Sequence, residues 1–180
     1  MKGTRVKIKE TSLCLFVVAS MMLPLSASAA DMLSYENSTA GVKLKYPADW
    51  IKSEALPGAV VAFGVPKEKA NLKMVENISL TIQDLTPDAT LDKYTAAYEK
   101  ERKNNPDGPK VLESRKTTLG GQPAQRIVCV GMQNGMEIEF LQVWTIRKQK
   151  SYLITYGSSK ETYAKFSQEA EKIISSLVFI

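Results

Sequence analysis

Residues 124–157 read AQRIVCVGMQNGMEIEFLQVWTIRKQKSYLITYG, and this stretch decides the fold. It holds three apolar runs, residues 124–132, 136–147 and 151–157, each long enough for a strand. Gln133-Asn134-Gly135 separates the first two. An Asn-Gly pair accepts the positive φ angles that a tight hairpin turn demands. Arg147-Lys148-Gln149-Lys150 turns the second hairpin. Consecutive hairpins build an antiparallel sheet. In the middle run one face carries Met136, Ile138, Phe140, Trp144 and Ile146; the other carries Glu137 and Glu139, then Leu141 and Val143. A strand that is apolar on both faces over half its length needs cover on both sides.

Further strands lie outside this core. Val42-Lys43-Leu44-Lys45-Tyr46 alternates, and Pro47 ends it because proline has no ladder donor. Residues 60–65 form a short apolar run, Ile78-Ser79-Leu80-Thr81-Ile82 alternates again, and residues 111–119 make a weaker strand. Two segments have the helical period. Residues 91–103 place Leu91, Tyr94, Ala97 and Tyr98 on one stripe, with Thr90 as the cap. Residues 161–177 align Tyr163, Phe166, Ala170, Ile173, Ile174 and Leu177, and Ser158 with Glu161 forms a capping box. Asn104-Asn105-Pro106-Asp107-Gly108-Pro109 is a loop by composition. Runs of strands with two helices give an α+β class, not alternating βαβ units.

The first 30 residues read as an address. Lys2, Arg5, Lys7 and Lys9 precede an apolar run over residues 13–25, and Ser26-Ala27-Ser28-Ala29-Ala30 ends it. This is the layout of a secretory signal peptide cleaved after Ala29 or Ala30, leaving one domain over residues 31–180. Leu13 before Cys14 is wrong for a lipobox, so Cys14 is an ordinary apolar residue of the signal. The whole chain has 180 residues and a net charge of +5. Residues 1–30 contain four of the 24 basic and one of the 19 acidic residues, so 20 against 18 remain and the net charge falls to +2. A nearly balanced domain is a poor partner for nucleic acid. Cys129, the one cysteine left, lies in an apolar strand and reads as buried and inert.

Histidine is absent, which removes histidine triads, histidine bases and histidine-containing metal sites. Two cysteines cannot make a four-cysteine zinc site. No phosphate-binding glycine loop, GxSxG, CxxC or Ser-x-x-Lys motif occurs. Ser158-Ser159-Lys160 sets a hydroxyl beside an amine, but its position marks a helix start. Glu137 and Glu139 point the same way from one strand and are the candidate carboxylate pair or hard-cation ligands. They read first as a solvated sheet face. Asp84 and Asp88 flank Pro87 without the glycine and closing Glu of a calcium loop, so they mark a turn. Trp50 and Trp144 read as core rather than as stacking platforms. Asn37 and Asn77 open sequons, which mean nothing in a bacterial envelope.

The segment Gly41-Val42-Lys43-Leu44-Lys45-Tyr46-Pro47-Ala48-Asp49-Trp50 resembles the opening of the PsbP family, the extrinsic P subunit of photosystem II and its bacterial relatives. Asn77-Ile78-Ser79-Leu80, Leu91 with Tyr94, Leu119-Gly120-Gly121-Gln122-Pro123-Ala124, Gln142-Val143-Trp144, residues 150–156 and Ile173-Ile174-Ser175-Ser176-Leu177 continue the likeness in order. The resemblance implies an α/β/α sandwich around a central antiparallel sheet, as in Ran-binding Mog-type proteins. It also implies a non-enzymatic extracytoplasmic domain. Plant members place His and acidic residues around metal, and this chain has no His.

The expectation is therefore an exported binding or assembly module for an envelope or membrane-associated complex. It would be a monomer with a protein partner, with peripheral membrane association open to it. Its location would be the periplasm, the envelope or the exterior. No cofactor is expected, with calcium as the one candidate ion. A narrower alternative is a photosystem II subunit aiding calcium and chloride retention, in a thylakoid lumen, if the source is an oxygenic phototroph. A third is a carboxylate-dependent hydrolase built on Glu137 and Glu139. Tyr46, Pro47, Trp50 and Trp144 are assigned structural roles.

Overall fold

The structure is a computed structural model that describes residues 31–66, 68–69, 76–106 and 108–180. The segment expected to be a signal peptide, including Ala29 and Ala30, lies outside the described residues. The elements in chain order are β1 (Met32–Asn37), β2 (Val42–Pro47), β3 (Ile51–Ser53), β4 (Val61–Gly64), β5 (Asn77–Asp84), α1 (Leu91–Lys103), β6 (Lys110–Leu119), β7 (Gln122–Gln133), β8 (Met136–Arg147), β9 (Lys150–Ser159), α2 (Lys160–Ser175) and β10 (Val178–Phe179). Antiparallel sheet dominates, with these two helices.

Seven strands form one sheet in the order β3-β4-β5-β9-β8-β7-β6, and a smaller sheet runs β1-β2-β10. Every pairing is antiparallel. The β7–β8 turn places Asn134 at φ 51 and Gly135 at φ 77, the geometry its Asn-Gly sequence favours. The β8–β9 turn uses the same left-handed region with Lys148 at φ 48 and Gln149 at φ 58. The β6–β7 turn uses Gly120 at φ +54, where a Cβ would lie 2.7 Å from the Phe179 ring. Only glycine fits both that angle and that approach.

Alternation along the strands separates two apolar clusters. Ile127, Cys129 and Trp144 pack with Phe140, Leu153 and the Leu91, Tyr94 and Tyr98 of α1. Val128, Leu141 and Val143 belong with Phe166, Ala170, Ile173 and Ile174 of α2 and with Val42, Leu44 and Phe63. Residues of α1 thus join the Trp144 cluster and residues of α2 the other.

α1 has the expected bounds, and the Thr90 hydroxyl accepts from the Lys93 N–H at 3.2 Å. The expected capping box of α2 is not formed. Ser159 is the cap residue and makes no side-chain cap bond, while the Ser158 hydroxyl is buried and faces Thr162 instead. β9 runs on through Ser158 and Ser159, so the helix begins one residue later than a Ser158 cap requires, and Ser158 meets the Thr162 hydroxyl rather than a backbone N–H of the first turn. α2 also ends at Ser175, and Leu177 is buried beyond it. Ser176 closes the helix and ties it to β2: its hydroxyl oxygen accepts from the Lys45 N–H at 2.8 Å.

Candidate functional site

Glu137 and Glu139 alternate with Ile138 on β8 and share a face. Glu137 is held by Lys160, whose Nζ donates to both carboxylate oxygens at 3.0 and 2.9 Å. Glu139 is half-buried. Burial pushes its carboxyl above the ordinary value; Lys160 opposes the rise and Glu137 adds to it. Among the described residues no group of three Asp, Glu, His or Cys side chains is placed to hold a metal ion. The pair is therefore a charged patch in which one member is already neutralised.

The Ser158-Ser159-Lys160 segment forms a hydroxyl relay. Ser158 and Ser159 each contact Thr162 Oγ1, at 2.9 and 2.7 Å, and Thr162 donates to Glu76 Oε1 at 2.6 Å. Thr162 spends its one hydroxyl proton on Glu76, and the Ser158 hydroxyl also lies 3.1 Å from the Ser159 carbonyl, to which it can donate. Ser158, Ser159 and Glu76 are all buried, which suits a network that ties the start of α2 to the chain before β5. Glu76 and Thr162 carry no sequence signal of this partnership.

Tyr46 stacks on Phe63 with ring centres 4.4 Å apart, and Trp50 folds back at 6% exposure. The Trp50 N–H donates to the Pro47 carbonyl at 3.0 Å, closing the corner after β2. Trp144 is beneath α1. Its Nε1–H donates to Thr95 Oγ1 at 3.2 Å, and the Tyr98 ring lies 5.0 Å away. The Tyr98 hydroxyl donates to Gln142 Oε1 at 2.9 Å. Cys129 is buried in the same cluster, and burial pushes its thiol up, with Arg102 opposing. Asp84 pairs with Lys150, and Asp88 pairs with Lys93, which holds its carboxyl down at about 2.

Two surface features have the shape of binding sites. A groove of about 370 Å³ runs along the outer end of the large sheet, lined by Ile51, Leu56, Pro57, Ala62 and Val65. Ile51 is 61% exposed and Leu56 43%, on and beside the terminal strand β3. A cleft of about 420 Å³ lies between the β6–β7 hairpin and the end of α2, with Arg126 inside it.

No curated protein matches the sequence. The solution structure of cyanobacterial PsbP (CyanoP) from Synechocystis superposes with a TM-score of 0.61 at 17% identity, covering 86% of this chain and 96% of that one. LpqN, described as involved in cell envelope biogenesis of Mycobacterium tuberculosis, gives 0.61 at 16% identity, covering 82% and 90%. The Saccharomyces cerevisiae Ran-binding protein Mog1p gives 0.55 at 7% identity, covering 84% and 96%. At these identities the likeness is one of fold. The family model described as PsbP-like protein matches residues 24–179, nearly the whole sequence. The chain therefore belongs to the PsbP-like family.

Proposed function

We propose that this protein is an exported, non-enzymatic binding module that serves as a monomer at an envelope or membrane-associated complex. The observation that carries the reading is the apolar groove beside β3. Among the described residues β3 pairs with β4 alone, so its outer edge is open to another strand. An extended peptide added there would meet main-chain partners and bury Ile51 and Leu56. Exposed apolar side chains gathered at one place mark contact surfaces. The lysine bound to Glu137 weighs against the carboxylate-hydrolase alternative.

The layering that goes with this reading is an α/β/α sandwich, supported by the α1 aromatics in one cluster and Phe166 and Ile173 of α2 in the other. Export is supported by the signal layout of residues 1–30. Among the described residues no helix is long and apolar enough to cross a membrane. The involvement of LpqN in cell envelope biogenesis and the Ran binding of Mog1p support a protein-facing role. The narrower role in photosystem II, with calcium and chloride retention, applies only in an oxygenic phototroph; the CyanoP likeness supports its fold alone.

The test uses the wild-type chain and an Ile51→Asp/Leu56→Asp variant as baits against the envelope fraction of the source cell. A partner recovered by the wild type and lost by a variant of unchanged melting temperature supports the groove. A partner held equally by both overturns it. Mass spectrometry of the exported chain should find Ala30 or Asp31 at its start; Met1 retained in the envelope would refute cleavage.

A further inference from the structure

We infer that the open edge of β3 pairs with the β3 edge of a second copy of this chain, so that free molecules cap each other's groove until an envelope partner takes the edge. This rests on the strand-addition reading above and adds what occupies that edge when the partner is away.

The large sheet has two outer edges, and they differ. β6 is ten residues long, carries Lys110, Glu113, Arg115 and Lys116, and has a register shift between Val111 and Glu113. Charges and a bulge are the devices by which an edge strand resists pairing. The β3–β4 ladder runs without a shift from Ile51 opposite Gly64 to Ser53 opposite Ala62. Its exposed apolar residue, Ile51, stands beside Leu56 at the groove. Edge pairing therefore falls to β3.

The edge reads Ile51-Lys52-Ser53-Glu54-Ala55: apolar, cation, small, anion, apolar. Read backwards, the order is the same with the charges exchanged. Two antiparallel copies related by a two-fold axis at Ser53 set Lys52 of each opposite Glu54 of the other. A two-fold axis makes such contacts reciprocal. Lys52 and Glu54 share one pleat face and already pair within the chain at 3.1 Å. Directly opposite residues of an antiparallel pair have Cβ atoms about 4.5–5.5 Å apart. That is closer than the roughly 6.6 Å between i and i+2 along one strand. Each Lys52 thus gains a second carboxylate, and each Glu54 a second ammonium.

Other registers lack this match. A two-fold axis at Lys52 would oppose Lys52 to its own copy, which repels. A shift by one residue would turn the two grooves to opposite faces of the joined sheet. On the groove face, the Ser53 register brings each Ile51 to the end of the other groove lined by Ala55, Leu56 and Pro57. The chain bends at Glu54, where the Ala55 N–H donates to the Ser53 hydroxyl at 3.2 Å, so the ladder is short. Lasting interfaces bury about 1,200–2,000 Å². A ladder of this length makes a weak, reversible pair, which a partner strand can displace.

The experiment is sedimentation equilibrium of the purified exported chain from about 10 µM to about 1 mM, where a weak dimer dissociates. The wild type should dimerise within that range. Lys52→Glu and Glu54→Lys, both at exposed positions, should each weaken the dimer by about tenfold or more with melting temperatures unchanged. Mixed in equal amounts, the two variants should recover the dimer, because the mixture restores both opposite-charge pairs. A wild type that stays monomeric throughout, a dimer that neither change weakens, or a mixture that stays monomeric would overturn the self-pairing. Capture of an envelope partner is read separately. A monomeric wild type that still captures one through the groove refutes self-pairing alone, and a dimer that captures nothing refutes the partner reading alone.

Discussion

Replacing Trp144 with alanine tests how α1 is held to the sheet. The indole is 1% exposed and clusters with Ile127 and Cys129 of the neighbouring strand and with Leu91, Tyr94 and Tyr98 of α1. No α1 residue is itself fully buried, so the helix depends on this contact more than on a core stripe of its own. Truncating a buried tryptophan costs about 3–5 kcal/mol. Within that loss, the Tyr94 and Tyr98 ring contacts account for about 0.5–1.5 kcal/mol. The indole N–H bond to Thr95 accounts for about 1 kcal/mol. In a domain of this size each kcal/mol lowers the melting temperature by roughly 2–4 °C. The expected fall is therefore about 6–20 °C, read by circular dichroism of the purified chain. Trp144→Phe keeps a ring and loses the N–H, and it should cost about 1–2 kcal/mol because Thr95 can turn to water. A fall under about 3 °C for the alanine variant would refute the view that Trp144 anchors α1.

Trp50→Ala should cost about 3–5 kcal/mol by the same reasoning, since Trp50 is buried in the cluster of Val42, Leu44, Phe63 and the α2 stripe; an unmoved melt would make it a surface platform instead. Cys129 should label slowly with a thiol reagent at neutral pH until denaturant is added, because burial disfavours the thiolate; fast labelling of the native chain would contradict its placement. The double change Lys148→Asn/Gln149→Gly should stabilise by about 1 kcal/mol, because both residues occupy the left-handed region without the sequence that favours it; a lower melting temperature would refute that account. The raised Glu139 carboxyl holds its proton to higher pH in the folded state than in the unfolded chain. Stability therefore falls as pH rises from the unfolded value, about 4.3, through the folded one, and stays lower above it. Glu139→Gln should raise the melting temperature at neutral pH and flatten that fall; melts that track wild type from pH 4 to pH 7 would exclude the burial penalty.

Much of the large sheet was legible because its signals are local. The two turns that join β7, β8 and β9 fall where the apolar runs break, and α1 begins at the hydroxyl residue before its first apolar position. The short strands β1, β3 and β10 were not legible. β10 has two residues and exists because Val178 and Phe179 meet Lys43 and Val42 of β2. β3 has three, with two of them exposed, so no alternation could mark it. Ser158 was misread as a cap because Ser-x-x-Glu fits the pattern, while pairing to β8 extended β9 past it: Glu139 faces Ser158 and Ile138 faces Ser159. Sheet pairing outcompeted the local capping preference.

The residues by themselves determined the α+β class, the hairpin order, both apolar helix stripes, the buried cysteine and the burial of Trp50 and Trp144. Each of these depends on period, turn chemistry or composition within a few neighbours. Tertiary structure decided the rest. It placed β5 between β4 and β9, so β3 became an edge with a groove beside it. It brought Arg126 to Glu171, and Thr162 to Glu76 across 86 positions of chain. Such partners have no periodicity linking them. Their charges and hydroxyls meet only after strand order and register are set by burial, and burial is a property of the whole sheet rather than of any segment.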